Sequence, residues 1–201
     1  MCIRDRLSDD ASWSLHVVRL MIGGKIQNYR NILRRYIRDY GENEDINRAV
    51  QVLERAKRDA LKAQDKTVLI GYEGMASNAY FEVLPILILN QKTDFPFHGR
   101  NRRPPKDAVN AMLSFAYTLI ANDVAAALET VGLDPYVGFL HTLRPGRTSL
   151  ALDMMEELRA YLGDRFILSL INKRQISVKD FLFQGDNGVV MTDKGKKTFI
   201  T

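Results

Sequence analysis

Residues 141–157, HTLRPGRTSLALDMMEE, hold the densest chemistry in the chain: an imidazole, an arginine-rich turn, then the carboxylates Asp153, Glu156 and Glu157. Apolar residues between the carboxylates make this stretch the first turns of a helix. Positions three and four apart share a helix face, so Asp153 can point with Glu156 or with Glu157. A histidine with clustered carboxylates suits a hard or borderline divalent cation. The same residues also suit a solvated helix start, which the helix dipole favours without any ligand.

Outward from this stretch the pattern stays helical. On its N-terminal side DPYVGFLH (134–141) predicts a short helix, with Asp134 as cap and Pro135 as first residue, that delivers His141. On its C-terminal side the acidic helix should run from about Thr148 to Tyr161 and close at Gly163, with an amphipathic helix from Asp164 to Gln175 after it. Residues 176–201 alternate apolar and polar positions, and FLFQ and VVMT flank a DNG turn, as in a small β-hairpin. The chain ends in KKTFIT, where a further helix begins.

Upstream, a helix is expected to start at Pro105 and to carry Val109, Met112, Leu113, Ala116, Tyr117, Ile120, Val124 and Ala127 toward Gly132. Just ahead of it Arg100, Arg102, Arg103 and Lys106, beside free amides at a helix start, form a candidate phosphate site. Before a loop over 90–101, the helix opening TVLIGYEGMASNAYFEVL is capped within Asp65–Thr67 and is kinked or ended by Pro85. Its apolar face, Leu69, Ile70, Ala76 and Tyr80, also contains Glu73. A carboxylate on a packing face is costly unless it is paired or binds a metal. Gly71 and Gly74 flank it, and glycine inside a helix implies close approach of a backbone or ligand.

Two more helices are expected, over about 21–40 and 44–63. The first carries Arg30, Arg34 and Arg38 at steps of four, joined by Lys25 and Arg35, as a ridge that could follow a phosphate backbone or be a solvated face. Residues 1–20 show no clear periodicity and read as an irregular leader, with the α-helical domain over 21–201. The fold class is therefore mainly α, with a small C-terminal β-hairpin.

Composition narrows the partners. The 201 residues carry 29 basic and 24 acidic side chains, a net charge of +5, which favours an anionic partner without identifying it. The single cysteine, Cys2, leaves no disulfide framework or cysteine-based zinc site within the chain. The longest apolar run, Val83 to Leu89, is interrupted by Pro85 and is well short of the ~20 residues of a membrane span. No membrane partner is expected, and the opening residues lack the apolar stretch of a secretory signal, so the expected location is cytoplasmic.

Four blocks, IGYEGMASNAYF (70–81), RNRRPPKDAVNAMLSFAYTL (100–119), DPYVGFLHTLRPGRTSLALDMMEELR (134–159) and DRFILSLINKRQI (164–176), resemble in order and spacing the CRISPR-associated endonuclease family Cas1. The family is the integrase subunit of the spacer-acquisition complex. The resemblance implies an α-helical catalytic domain that binds Mg2+ or Mn2+ through Glu73, His141 and Glu156, with Asp153 as a supporting or alternative ligand. It implies phosphoryl transfer on double-stranded or branched DNA, with Arg100, Arg102, Arg103, Lys106, Arg144 and Arg147, and the ridge residues Arg30 and Arg34, as DNA contacts. It further implies a Cas2 partner and a homodimer in full-length members. Nothing before Met21 could supply the family's N-terminal β-rich domain, and members extend beyond the position of Thr201, so the chain reads as a fragment. Leu143 stands where relatives often carry a polar or acidic residue. The alternative is a helical DNA-binding module, or an inactive fragment, whose acidic residues are structural.

Overall fold

The computed structural model describes residues 10–141 and 144–200. Its first helix, α1 (Ala11–Tyr40), begins ten residues before the expected start. Asp10 caps it, its carboxylate accepting from the amides of Ser12 and Trp13 at 2.9 and 3.0 Å. The stripe that continues upstream is Leu15 and Val18, and intervening Ser14, His16 and Arg19 hide its period in the sequence. Leu143 and Cys2 lie outside the described residues.

Helices α2 (Glu44–Ala60) and α3 (Lys66–Leu87) follow, capped by Asn43 and Asp65. Short turns join these three helices, which pack on one another and bury Ile22, Ile26, Tyr29 and Leu33 of α1 against Leu53 of α2 and Leu69 and Tyr80 of α3. The rings of Tyr29 and Tyr80 stack with centroids 4.0 Å apart. Ile70, expected on the apolar face of α3, is half exposed, because that face follows Leu69, Glu73, Ala76 and Tyr80 at steps of three and four. Pro85 lies inside the last turn of α3, and the helix continues to Leu87.

Helix α4 (Ala108–Thr130) starts three residues after Pro105. Asp107 provides the cap by accepting from the Asn110 amide at 2.7 Å, and the Pro105 carbonyl instead accepts from Val189 at 2.8 Å. By length and composition α4 is apolar enough to cross a membrane, which run length alone missed because Ser114, Thr118 and Asn122 interrupt it. Its first half packs as a core helix through Val109, Met112, Leu113 and Ala116.

Residues 134–141 form turns and bends where a short helix was expected. Helix α5 (Ser149–Leu158) passes through a π-helical turn, Arg159–Asp164, into α6 (Arg165–Asn172). Strands β1 (Phe181–Phe183) and β2 (Val189–Met191) pair antiparallel with Phe181 opposite Met191, and α7 (Asp193–Ile200) follows. Phe181, Val189 and Met191 face the core. Helix α1 contacts both α3 and α5, while α5 also packs on α4. Helix α1 thus bridges the helix carrying Glu73 and the helix carrying Asp153 and Glu156.

Candidate metal centre

Asp153 is fully buried on α5. Its Oδ2 accepts from the amides of Phe139 and Leu140 at 2.6 and 2.9 Å, and its Oδ1 accepts from the amide of His141 at 3.0 Å. Three consecutive amides spent on one carboxylate cannot also serve a helical ladder, which is why 134–141 is not helical. The close approach needs Gly138, where a Cβ would stand 2.7 Å from the Ser149 Cβ and 2.8 Å from Asp153 Oδ2. Asp153 also lies 2.6 Å from His141 Nδ1. With the Nδ1 proton directed at this oxygen, Nε2 is the ring nitrogen that would be left to bind a ligand, and the side chain is about a quarter exposed.

One turn along α5, Glu156 is also buried, and its partners are cations. Its Oε2 lies 2.7 Å from the Lys25 ammonium and its Oε1 3.0 Å from Arg159. At that distance the Oε2 contact is a charge-assisted pairing with the Lys25 ammonium. Burial raises the Glu156 carboxyl, but Lys25 and Arg159 outweigh it and hold the group below its ordinary value, with a smaller contribution from His141.

Glu73 reaches the same ammonium from α3. Its Oε1 pairs with Lys25 Nζ and accepts from Ser77 Oγ at 2.8 Å. Lys25 is 3 % exposed, although the sequence reading placed it on the outer basic ridge. It lies on the inward face with Met21, Ile22 and Tyr29, three and four positions away, and that spacing is the available signal. Burial opposes its charge, yet Tyr29, Glu156 and Glu73 together hold its titration above that of an ordinary lysine. Arg159, three residues after Glu156, was also not singled out in the sequence.

Among the described residues, no group of three or more His, Cys, Asp or Glu side chains forms a ready-made metal cage. Glu73 and Glu156 meet at the Lys25 ammonium, while His141 is held on Asp153. The donors nevertheless suit a divalent ion: two carboxylates gathered on one cation, and an imidazole oriented by a buried carboxylate.

A cleft opens beside Glu73. A cavity of about 280 Å³ is lined by Lys25, Glu73, Gly74, Ser77, Arg102 and Arg159 among others. It shares Arg100, Arg102, Tyr117 and Arg159 with a second cavity of about 440 Å³ that Arg103 also lines. Among the described residues, nothing outside the helix's own backbone and the adjoining residues lies within 4 Å of a Cβ built on Gly71 or Gly74, so of the two expected causes, a close backbone or a ligand, the first is not met.

The expected DNA contacts divide by environment. Arg102, Arg103, Lys106 and Arg144 are exposed, and Arg147 is half-buried. Arg100 is tied into the fold: it donates to Asn110 Oδ1 at 2.8 Å and Ser114 Oγ at 3.2 Å and lies over the Tyr117 ring. On the α1 ridge Arg30 pairs with Glu54 at 3.2 Å, and Arg35 and Arg38 pair with Asp39, which leaves Arg34 as the exposed member with no such pair among the described residues. Glu157, expected on the solvated face, folds over Gly24 and is half-buried, and burial raises its carboxyl.

Comparison with known proteins adds a lineage to this geometry. The family model for the CRISPR associated protein Cas1 matches residues 4–201. A CRISPR-associated endonuclease Cas1 of Chlorobaculum tepidum is 47% identical over 199 residues, covering 98% of this chain and 58% of the relative. Among solved structures, a Cas1 protein from Thermotoga maritima superposes with a TM-score of 0.81 at 29% identity, over 95% of this chain and 58% of that one. A casposase bound to its integration product gives a TM-score of 0.80 at 25% identity, over 97% and 53%. The chain thus spans somewhat more than half the length of these proteins. A match that runs from residue 4 to the last residue is not confined to a shared motif, and the chain belongs to the Cas1 family.

Proposed function

We propose that this chain carries the metal-dependent catalytic centre of a DNA integrase and endonuclease of CRISPR adaptation, which inserts DNA fragments into a repeat array by transesterification. One observation carries the reading: Glu73 and Glu156, from helices 83 positions apart in sequence, converge on a single buried cation. A solvated helix face would not bring a buried and a half-buried carboxylate together on one buried cation.

In this reading the 3′-hydroxyl of an incoming strand attacks a phosphodiester at a repeat end. The new P–O bond forms as the bond to the leaving 3′ oxygen breaks, and the proton of the attacking hydroxyl leaves with solvent. Water replaces the hydroxyl in nuclease action. Glu73, Glu156 and His141 would hold Mg2+ or Mn2+, which polarises the phosphate and stabilises charge on the attacking and leaving oxygens. Asp153 has its oxygens filled by three amides and the ring, so it positions His141 rather than binding the ion. Arg159 keeps Glu156 ionised and oriented. Arg102, Arg103, Lys106, Arg144 and Arg147 would neutralise backbone phosphates and set DNA register without reading sequence. A Cas2 partner and assembly as a homodimer belong to the same proposal and rest on family membership.

The test is Mn2+-dependent cleavage or strand transfer on branched DNA by His141→Ala and Glu73→Gln. Both variants should lose at least 100-fold; undiminished activity in either removes that residue from the centre. The absence of a three-ligand cage among the described residues favours one other reading, a helical DNA-binding module without catalytic metal. That reading expects the two variants to bind DNA and to match the parent in every metal-dependent assay.

A further inference from the structure

The proposed centre contains a cation of its own. We propose that Lys25 is a resident counter-ion that occupies the oxygens of Glu73 and Glu156 until a divalent ion displaces it, so that the ion binds weakly to the DNA-free protein and tightly only alongside DNA. The inference rests on the metal-centre reading above and concerns how that centre is loaded.

Three features of the molecule carry it. Lys25 contacts both carboxylates, so a single buried ammonium occupies one oxygen of each, the oxygens that a shared metal ion would take. Lys25 and Arg159 together offset the formal charge of Glu73 and Glu156, so these two carboxylates offer an incoming dication less net attraction than they would unpaired. A DNA phosphate restores that attraction by adding negative charge to the same place. The cavity of about 280 Å³ beside Lys25, Glu73 and Ser77 gives a displaced ammonium somewhere to go.

Lys25→Met removes the charge and keeps much of the length and apolar stem. Mn2+ titrated calorimetrically into the DNA-free chain should bind Lys25→Met at least 10-fold more tightly than the parent. Mn2+ should also raise the melting temperature of the variant more than that of the parent, because the ion replaces the lost ammonium. Equal or weaker binding in the variant overturns the proposal. Should Lys25→Met fail to fold, the parent chain decides by itself: its Mn2+ affinity should rise at least 10-fold when a short branched DNA is present, and an unchanged affinity overturns the coupling. His141→Ala separates the two levels of inference. If it abolishes Mn2+ binding by the parent while Lys25→Met has no effect, the metal centre stands and the role of Lys25 falls. If Lys25→Met tightens binding and adding His141→Ala leaves that gain intact, the displacement stands and His141 leaves the ligand set.

Discussion

Replacing Asp153 with Asn keeps the shape of the side chain and exchanges one acceptor oxygen for a donor. In the native protein Oδ2 serves two amides, at 2.6 and 2.9 Å, and Oδ1 serves the His141 amide at 3.0 Å and the ring nitrogen at 2.6 Å. Whichever way the new amide turns, its NH2 faces a backbone donor. Facing Phe139 and Leu140 it strands two amides; facing His141 it strands one amide and forces the ring to accept at Nδ1. Each buried donor left unpaired costs ~1–3 kcal/mol, so the variant should lose roughly 1–3 kcal/mol with the amide facing His141 and roughly 2–6 kcal/mol with it facing Phe139 and Leu140. Either loss is a sizeable part of the ~5–15 kcal/mol that holds a typical domain folded. Thermal and urea unfolding measure the loss, which should lower the melting temperature on the order of 10 °C. If the amide faces the ring, the Nε2 lone pair becomes N–H and His141 can no longer bind a metal, which nitrogen-detected NMR of the imidazole would register. A variant within about 0.5 kcal/mol of the parent, with the parent tautomer, would refute the view that Asp153 builds this loop.

Other expected outcomes follow from equally local features. Gly138→Ala should destabilise by about 1–3 kcal/mol, since its Cβ would meet the Ser149 backbone carbon and Asp153 Oδ2, each at 2.8 Å. Gly24→Ala should cost less in the same unfolding assay, because the obstacle is the movable end of Glu157; the reverse ranking would contradict the packing described. Asp164 accepts from the Tyr117 hydroxyl at 2.6 Å and burial pushes its carboxyl up to about 6, against smaller opposing effects of Tyr117, Tyr80 and the neighbouring arginines. A group raised in the folded state contributes its stability below the unfolded pKa and loses it as pH rises through the folded value, so this contribution should fade between about pH 4 and 6 by about 3 kcal/mol. In urea titrations Asp164→Asn should remove that dependence, and an unchanged slope would refute it. Arg102→Ala and Arg103→Ala should leave stability within about 0.5 kcal/mol and reduce the salt dependence of DNA binding by about one counterion each. Arg100→Ala should lose stability, because its guanidinium ties the 99–101 loop to α4 through Asn110 and Ser114.

How far the sequence carried the reading depends on the kind of constraint. Helices α1 to α4 were legible in their apolar spacing, and the hairpin in its alternation, because each pattern reports burial on one face. The segment 134–141 was misread as helix because Asp134-Pro135 is a good helix start. The amides that would complete it are claimed by Asp153, and no local pattern shows a tertiary acceptor. Glu73 was legible as a carboxylate on a packing face. Lys25 was not recognised, although it shares that trait, because neighbouring arginines at 30, 34 and 35 invited a ridge. The spacing to Met21, Ile22 and Tyr29 places it inside. Arg100 was read as a phosphate contact from its composition, and only tertiary structure shows the residues that hold it.

The central claim is that Glu73, Glu156 and His141 share one divalent ion. Anomalous diffraction from crystals of the chain grown with short branched DNA and soaked in Mn2+ tests it most directly. The account expects one strong manganese peak at roughly 2.0–2.3 Å from a Glu73 oxygen, a Glu156 oxygen and His141 Nε2, with the Lys25 ammonium moved away. Manganese absent from that position, with Lys25 still paired to both carboxylates, would contradict it.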